Sequence, residues 1–221
     1  MLSPCLQNTQ TSRHPTPSVN CGVNPPSKIR RYFLSYILST RSRDSDLLNF
    51  DDYKDYWRDL TLGNYIDEEL PVFQLRILGK GVPPDILQFG VLTVVSLKFV
   101  SILKELHAEH CVQLFPVDVY LKQGKWEEQH YVMTVTNKLD CIDLEKSKYE
   151  VIADLYKDIC PLVLDETKIT ENDCVFVLSS AIYSSIFMND RAKEYFKKAK
   201  LKKVSFYEID EWNSSILNPH N

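Results

Sequence analysis

Alternating apolar and polar residues predict several half-buried strands in this chain of 221 residues. Residues 72–78 alternate without interruption, which places every second side chain on one face of a strand. The runs 112–121 and 131–136 are rich in β-branched and aromatic residues, and the polar segment 122–129 joins them, as in a hairpin with a long loop. Further strands are predicted over 32–38, 92–95, 175–178 and 204–209.

Helical spacing of apolar residues predicts helices between these strands. Ser96 precedes an apolar stripe and is a good N-cap for a helix that runs to about residue 107. Ser179 or Ser180 could cap a helix to Phe187, and Asp190 could cap a helix over 191–200. The segments 149–156 and 161–164 fit either a strand or a helix.

The order of these elements predicts the fold class and the domain organisation. Strands and helices are intermixed without a regular βα repeat, which favours an α+β fold with a mixed or antiparallel sheet and packed helices. We expect a flexible polar tail over 1–28, a strand and an acidic helical segment over 29–70, a main α+β domain over 71–213 and a C-terminal tail over 214–221.

Composition excludes several functional classes. The net charge of -4 argues against a protein that binds nucleic acid directly. No apolar run approaches the roughly 18 residues of a membrane-spanning helix, so no membrane contact is expected. Only 6 glycines are present, which disfavours a glycine-rich phosphate loop, and no cofactor is predicted. The 6 cysteines lack CxxC spacing and indicate free thiols in a reducing cytoplasm.

Three groups of residues could carry chemistry, but each has a structural interpretation. His107, His110 and Cys111 lack a further ligand cluster, so no metal site is predicted. Asp143 and its acidic neighbours are typical of a solvated turn, and the serines near 180 lack the sharp turn of a nucleophile. No catalytic residue is predicted. The alternative is a hydrolase-like enzyme that uses Asp143 with His107 or His110.

The acidic segment, residues 44–69, is the largest electrostatic feature, with nine acidic and two basic residues and hence a net charge of −7. Phe50, Tyr53, Trp57 and Leu60 recur at helical spacing, so part of the segment is predicted to be an amphipathic helix with an acidic outer face. Two interpretations remain open: an ordinary solvated face, or a docking face of an adaptor or inhibitor for a basic protein.

Several short motifs follow one another in a recognisable order. They are Pro84–Asp85–Ile86, Val95–Ser96–x–x–Phe99, Gln113–x–Phe115–Pro116–Val117, Tyr131–x–x–x–Val135–x–Asn137 and Asp143–x–Glu145–x–Ser147. Together they resemble a family of bacterial immunity proteins from polymorphic toxin systems, called immunity protein eleven, over about residues 72–209. In the family, the last strand follows a turn that contains glycine, and here Leu201–Lys202–Lys203 stands instead.

The resemblance implies a protein that binds and occludes a cognate toxin without catalysis, and so protects the cell or its kin in interbacterial competition. It carries over no binding residues. A toxin that attacks nucleic acid would be basic around its active site, and the acidic segment could mimic phosphate there. The predicted partner-binding residues are the steering acids and the aromatic anchors, Asp51, Asp52, Asp55, Tyr53, Tyr56, Trp57 and Tyr65. Of the aromatics, Tyr56 and Tyr65 lie off the apolar stripe.

Overall fold

The computed structural model describes residues 35–38, 40–41, 45–48, 50–78, 81–89, 92–181 and 185–211. All of them belong to one unit that spans residues 32–221. The predicted tails over 1–28 and 214–221 lie outside the described residues, as do the first three residues of the predicted strand over 32–38.

The described residues form helices and strands that we number in chain order. The helices are α1 (Trp57–Leu62), α2 (Leu97–Glu105) and α3 (Asp190–Lys198), with 3-10 helices at Phe50–Tyr53, Glu109–Cys111 and Glu166–Lys168. The strands are β1 (Ser35–Leu38), β2 (Thr40–Arg41), β3 (Ser45–Leu47), β4 (Phe73–Ile77), β5 (Ile86–Phe89), β6 (Leu92–Ser96), β7 (Val112–Leu121), β8 (Gly124–Lys125), β9 (His130–Val135), β10 (Lys138–Leu139), β11 (Glu150–Ile152), β12 (Leu155–Lys157), β13 (Val175–Leu178), β14 (Ile186–Met188) and β15 (Ser205–Glu208).

The larger sheet is built around the predicted hairpin. Its strand order is β2-β5-β6-β9-β7-β4-β3, and β8 pairs with β7. The hairpin prediction is confirmed, because β7 and β9 pair antiparallel with Leu114 opposite Met133. Strand β4 joins β7 in parallel, which makes the sheet mixed. The alternation predicted for 72–78 is also confirmed, since Phe73 and Leu75 are buried and Arg76 is exposed.

The smaller sheet brings together segments that are far apart in the chain. Its order is β10-β13-β14-β1-β15, and β1 lies between the antiparallel neighbours β14 and β15. Strands β11 and β12 form a separate two-stranded hairpin, which decides the ambiguous segment 149–156 in favour of strands. The α+β prediction, with mixed sheets and no regular βα repeat, is confirmed.

The helix predicted after β6 forms as expected. The Ser96 hydroxyl accepts a hydrogen bond from the Phe99 amide and caps α2. Its apolar stripe is buried, and the Phe99 ring packs on the Phe196 ring of α3 with centroids 4.5 Å apart. The helix ends at Glu105, because His107 takes a positive φ of 55°.

Two predictions near the C-terminal end of the chain are wrong. The helix predicted to end at Phe187 is replaced at its end by strand β14, residues 186–188, because pairing with β1 and β13 buries Phe187 and Met188. Residues 182–184 of the predicted helix lie outside the described residues. The cap of α3 is Asn189, whose side chain accepts from the Ala192 amide at 3.0 Å, so the predicted cap Asp190 is the first helical residue.

Three apolar clusters make up the described core. The first lies under α2 and α3 and includes Phe99 and Phe196. The second packs the acidic segment onto the larger sheet, through Tyr53, Leu60 and Phe73. The third contains buried residues of the segments 141–169 and 176–187, and Tyr156 of β12 packs against it. The acidic segment is therefore fixed to the sheet by its apolar residues.

Candidate partner-binding surface

The acidic segment does not form one continuous helix. It divides into the 3-10 helix Phe50–Tyr53 and the α-helix α1, which ends at Gly63. The three predicted steering acids, Asp51, Asp52 and Asp55, are all exposed. Their exposure agrees with an acidic outer face, but exposure alone does not assign a partner.

Tyr53 is a core residue, which corrects its prediction as a partner anchor. The side chain is 0% exposed. Its ring stacks on Phe73 at a centroid distance of 3.8 Å, and its hydroxyl donates to the Pro71 carbonyl at 3.0 Å. The apolar stripe of the segment faces the sheet, so Tyr53 stabilises the fold and offers no contact surface.

The other predicted aromatic anchors differ in exposure. Tyr56 and Trp57 are half-buried and pack against the second apolar cluster, so each presents only part of its ring to solvent. Tyr65 is 69% exposed and is the most exposed large hydrophobic side chain among the described residues. Exposed acids Asp67, Glu68 and Glu69 follow it. Tyr65 is therefore the strongest of the predicted anchors.

Gly63 fixes the point at which the chain leaves α1. Its φ of 67° is a left-handed C-cap, and its amide donates to the Asp59 carbonyl. A Cβ at this position would lie 2.2 Å from the Val135 carbonyl oxygen of β9. Only glycine allows this turn and this close approach to the sheet.

Polar side chains from distant strands hold the loop that carries Tyr65. The Gln113 side chain on β7 accepts from the Ile66 amide and donates to the Ile66 carbonyl, both at 2.9 Å. Lys138 on β10 donates to the Asn64 side chain at 2.6 Å, and Asn64 donates to Asp59 at 2.7 Å. Tyr65 therefore projects from a loop whose backbone is fixed on both sides.

Sequence reasoning missed these supporting residues. Gln113 lies 47 positions from Ile66, and Lys138 lies 74 positions from Asn64, so no local pattern connects them. It also missed the apolar side chains Leu62 and Val72, which are 38% and 44% exposed at either end of the loop. For Val72, its position just after the acidic run 67–69 was the available signal.

The motifs that carry the family resemblance have structural roles. Buried Asp85 accepts from the Ser96 hydroxyl at 2.7 Å and from the Lys202 amide at 2.5 Å, which ties the start of α2 to the turn before β15. Asn137 donates to Asp173 at 3.0 Å and to the Val175 carbonyl at 3.2 Å. In the turn without glycine, Lys203 takes a positive φ of 57°.

The histidine and cysteine group lies at the end of α2. The His110 ring contacts the His107 carbonyl at 3.0 Å through Nδ1 and the Cys111 sulfur at 3.4 Å through Nε2. Burial raises the pKa of the Cys111 thiol, so the neutral form is favoured at pH 7. In the described ranges, no group of three or more His, Cys, Asp or Glu side chains could hold a metal ion.

Asp143, the carboxylate of the alternative hydrolase hypothesis, is bonded within its own turn. Asp143 accepts from the Lys146 ammonium at 2.6 Å and from two backbone amides of its own turn, and the hydrogen bond to Lys146 lowers the Asp143 pKa. Ser147 is buried and exchanges hydrogen bonds with both backbone groups of Val163. These residues form the predicted turn, but the Asp143 side chain is only 18% exposed, less than a solvated turn implies.

None of the helices in the part of the chain that the structure describes is long and apolar enough to cross a membrane.

Comparison with known proteins identifies the family of the chain. No curated protein matches the chain significantly. The sequence pattern of the family described as "Immunity protein family (Imm11)" matches residues 51–211, well over half of the chain. The chain therefore belongs to the immunity protein family Imm11, and its function is toxin immunity.

Proposed function

We propose that this protein binds a cognate bacterial toxin through the acidic segment and covers the toxin's active site without catalysis. The observation that carries the proposal is Tyr65, 69% exposed on a loop that Gln113 and Lys138 hold in place. A rigid aromatic side chain loses little conformational entropy on binding and fills a pocket well.

The charge of the surface supports a basic partner. Asp51, Asp52 and Asp55 are exposed before α1, and Asp67 and its two acidic neighbours are exposed after it. A run of like charges on a surface steers an oppositely charged protein and raises the association rate. We therefore propose a nuclease-type toxin, whose phosphate-binding cleft would be basic.

The partner anchors are proposed in order of exposure. Tyr65 is the central anchor, and the exposed Leu62 and Val72 supply apolar area on either side of its loop. Tyr56 and Trp57 are half-buried, so each offers less contact area than Tyr65. Tyr53 has no part in the interface, because it is in the core.

The place of action is proposed to be the bacterial cytoplasm, where the chain would protect the producing cell or its kin in interbacterial competition. Among the described residues, Cys111, Cys141 and Cys174 are buried free thiols. Unpaired thiols are typical of a reducing compartment. The polymorphic toxin system itself would be encoded beside this chain.

Co-expression with the neighbouring toxin gene tests the function. Growth should be rescued by the wild-type chain, and the purified toxin should bind it. Replacing Asp51, Asp52 and Asp55 with Asn should slow association roughly 10-fold or more at low salt and flatten the salt dependence. A matched triple variant, Glu105, Glu127 and Glu128 to Gln, loses the same charge at exposed positions elsewhere and should behave as wild type.

The anchor is tested separately from the steering acids. Tyr65→Ala should accelerate dissociation and weaken binding by roughly 10- to 100-fold without changing the salt slope. Tyr65→Phe, which keeps the ring, should retain most of the affinity. Unchanged binding in both the acid and the Tyr65 variants, with growth rescue intact, would move the interface to another face and leave the immunity function in place.

A further inference from the structure

The hairpin of β11 and β12, residues 149–157, exposes apolar side chains on both of its faces; we call it the apolar hairpin. Val151 is 58% exposed, Ile152 is 47% exposed and Tyr149 is 36% exposed. Adjacent residues of a strand point to opposite faces, so Val151 and Ile152 lie on different sides. Neither face of β11 is therefore covered as an ordinary half-buried strand would be.

The backbone of β11 also has one edge that no described strand pairs with. The two-residue turn Ala153–Asp154 has φ values of 48° and 65°, as in a type I′ hairpin. Ile152 and Leu155 flank this turn, and their backbones form a hydrogen-bonded pair. Because such pairs alternate, the amides and carbonyls of the next pair, Val151 and Tyr156, point away from the hairpin.

The two outer edges of the apolar hairpin differ. On the β12 side, the Tyr156 amide donates to the Ser180 carbonyl at 2.6 Å and Tyr156 bridges to Ala181. On the β11 side, no strand within the described ranges pairs with the amide and carbonyl of Val151. The strand Glu150–Val151–Ile152 is short and carries one charge, Glu150, but it contains neither lysine nor proline, which are common at protected edges.

We propose that this edge pairs antiparallel with the same edge of a second copy of the chain, about a two-fold axis through Val151. In that register the two Val151 residues exchange a pair of backbone hydrogen bonds. Each Glu150 lies opposite an Ile152 of the other copy. This inference does not depend on the proposed toxin interface.

The charges beside the edge match a second copy. The same register brings Lys148 towards Asp154 of the other copy, once on each side of the axis, and both residues are exposed. An isologous contact must be self-complementary, and these opposite charges, each three positions from Val151 along the chain, satisfy that condition. A strongly basic partner would instead meet the exposed Lys146 and Lys148.

The side chains on one face extend the contact. Tyr149, Val151 and Tyr156 share a face, and the two tyrosine rings already meet edge to face at 4.7 Å. Across the axis, the two Val151 side chains would join these pairs into one apolar patch. The contact is small compared with stable interfaces, so the dimer should be reversible, with half-dimerisation on the order of 100 µM.

Sedimentation velocity of the full chain from about 5 to about 500 µM tests the proposal. The weight-average mass should rise from one towards two chains. Val151→Lys places two ammonium groups at the axis and should leave a monomer over the whole range. The control Val82→Lys changes another exposed valine, 47% exposed in a loop, and should dimerise as wild type does.

Charge exchange tests the register without touching Val151. Lys148→Asp alone, and Asp154→Lys alone, should each weaken dimerisation several-fold, and the double variant should restore it. Two results would overturn the proposal: a wild type that stays monomeric throughout the range, or equal dimerisation of the Val151→Lys and Val82→Lys variants. If the wild type is monomeric and toxin binding is lost in Val151→Lys, the edge is assigned to the toxin instead.

Discussion

The loop that carries Tyr65 and the apolar hairpin both expose apolar side chains, yet they are built in different ways. The Tyr65 loop is held by Gln113 and Lys138, which come from two other strands. The apolar hairpin is held by its own strand pairing, by the bridge from Tyr156 to the segment near Ser180 and by the packing of Tyr156 on the third apolar cluster. The surface around the loop is predominantly acidic, with Lys54 and Arg58 as the two bases of the acidic segment, whereas the hairpin carries both signs in similar number.

This difference shows that exposure alone does not identify a partner. A predominantly acidic surface on a fixed backbone suits binding to a separate basic protein. The fixed loop loses little entropy on binding, and the negative charge raises the association rate. A surface of mixed, symmetrically placed charge on an open strand edge fits a copy of itself. Substitutions that disturb one region and spare the other test this distinction.

The largest effect is expected at the base of the Tyr65 loop. Gly63→Ala forces a Cβ against the Val135 carbonyl oxygen, 2.2 Å away, at a φ of 67°. We expect a loss of about 3 kcal/mol or more in the free energy of unfolding. Gly124→Ala is the control, since its Cβ would meet nothing within 4 Å, and it adds backbone strain alone. Urea denaturation measures both, and equal losses would contradict the clash.

A smaller loss is expected when the clamp on the loop is removed. Gln113→Leu leaves the amide and carbonyl of Ile66 without their 2.9 Å partners and should cost about 1–3 kcal/mol. Toxin affinity should fall as well, because Tyr65 would no longer be held in place. Gln123→Leu, at an exposed loop position, is the control. Hydrogen exchange at the Ile66 amide should quicken in the first variant only.

The core beneath the apolar hairpin should respond to high pH. Burial, as the main cause, raises the pKa of the Cys141 thiol from 9.0 to about 12. The folded state thus favours the neutral thiol, so its stabilising contribution is complete below pH 9.0 and is lost as the pH rises towards about 12.

Two measurements check this response. Free energies of unfolding from pH 8 to pH 11 should fall less steeply in Cys141→Ala than in the wild type. Alkylation of the native chain at pH 8, read by mass spectrometry, should modify half-buried Cys160 well before Cys141. Labelling of Cys141 at the rate of Cys160 would show that the thiol is accessible.

The smallest effect is expected in the turn of the hairpin. Ala153 adopts a φ of 48°, which an L-residue with a Cβ disfavours. Ala153→Gly should therefore raise the free energy of unfolding, by at most about 1 kcal/mol, and leave toxin binding unchanged. Ala199→Gly is the control: Ala199 has an ordinary φ of −69°, so glycine there should destabilise. A loss of stability in Ala153→Gly would contradict strain in this turn.

The sequence by itself determined the features that depend on near neighbours. Alternation over 72–78 predicted the buried face of β4, the β-rich runs predicted the hairpin of β7 and β9, and Ser96 predicted the cap of α2. The acids of the acidic segment were predicted to be exposed, and Asp51, Asp52 and Asp55 are. Each of these features is set within a few positions of the chain, by periodicity or by one side chain bonding to a nearby amide.

Tertiary structure decided the rest, because the contacts that matter join distant positions. Residues 186–188 became a strand since β1 and β13 pair with them on both sides, whatever the helical spacing suggested. Tyr53 lies in the core, stacked on Phe73. The backbone of Ile66, next to Tyr65, is held by Gln113, which lies 47 positions away in the chain. Among the described residues, Ser180 bonds to the β12 side of the apolar hairpin and no strand pairs with Val151 on the β11 side. Such pairings depend on how the strands assemble in space, which no local pattern encodes.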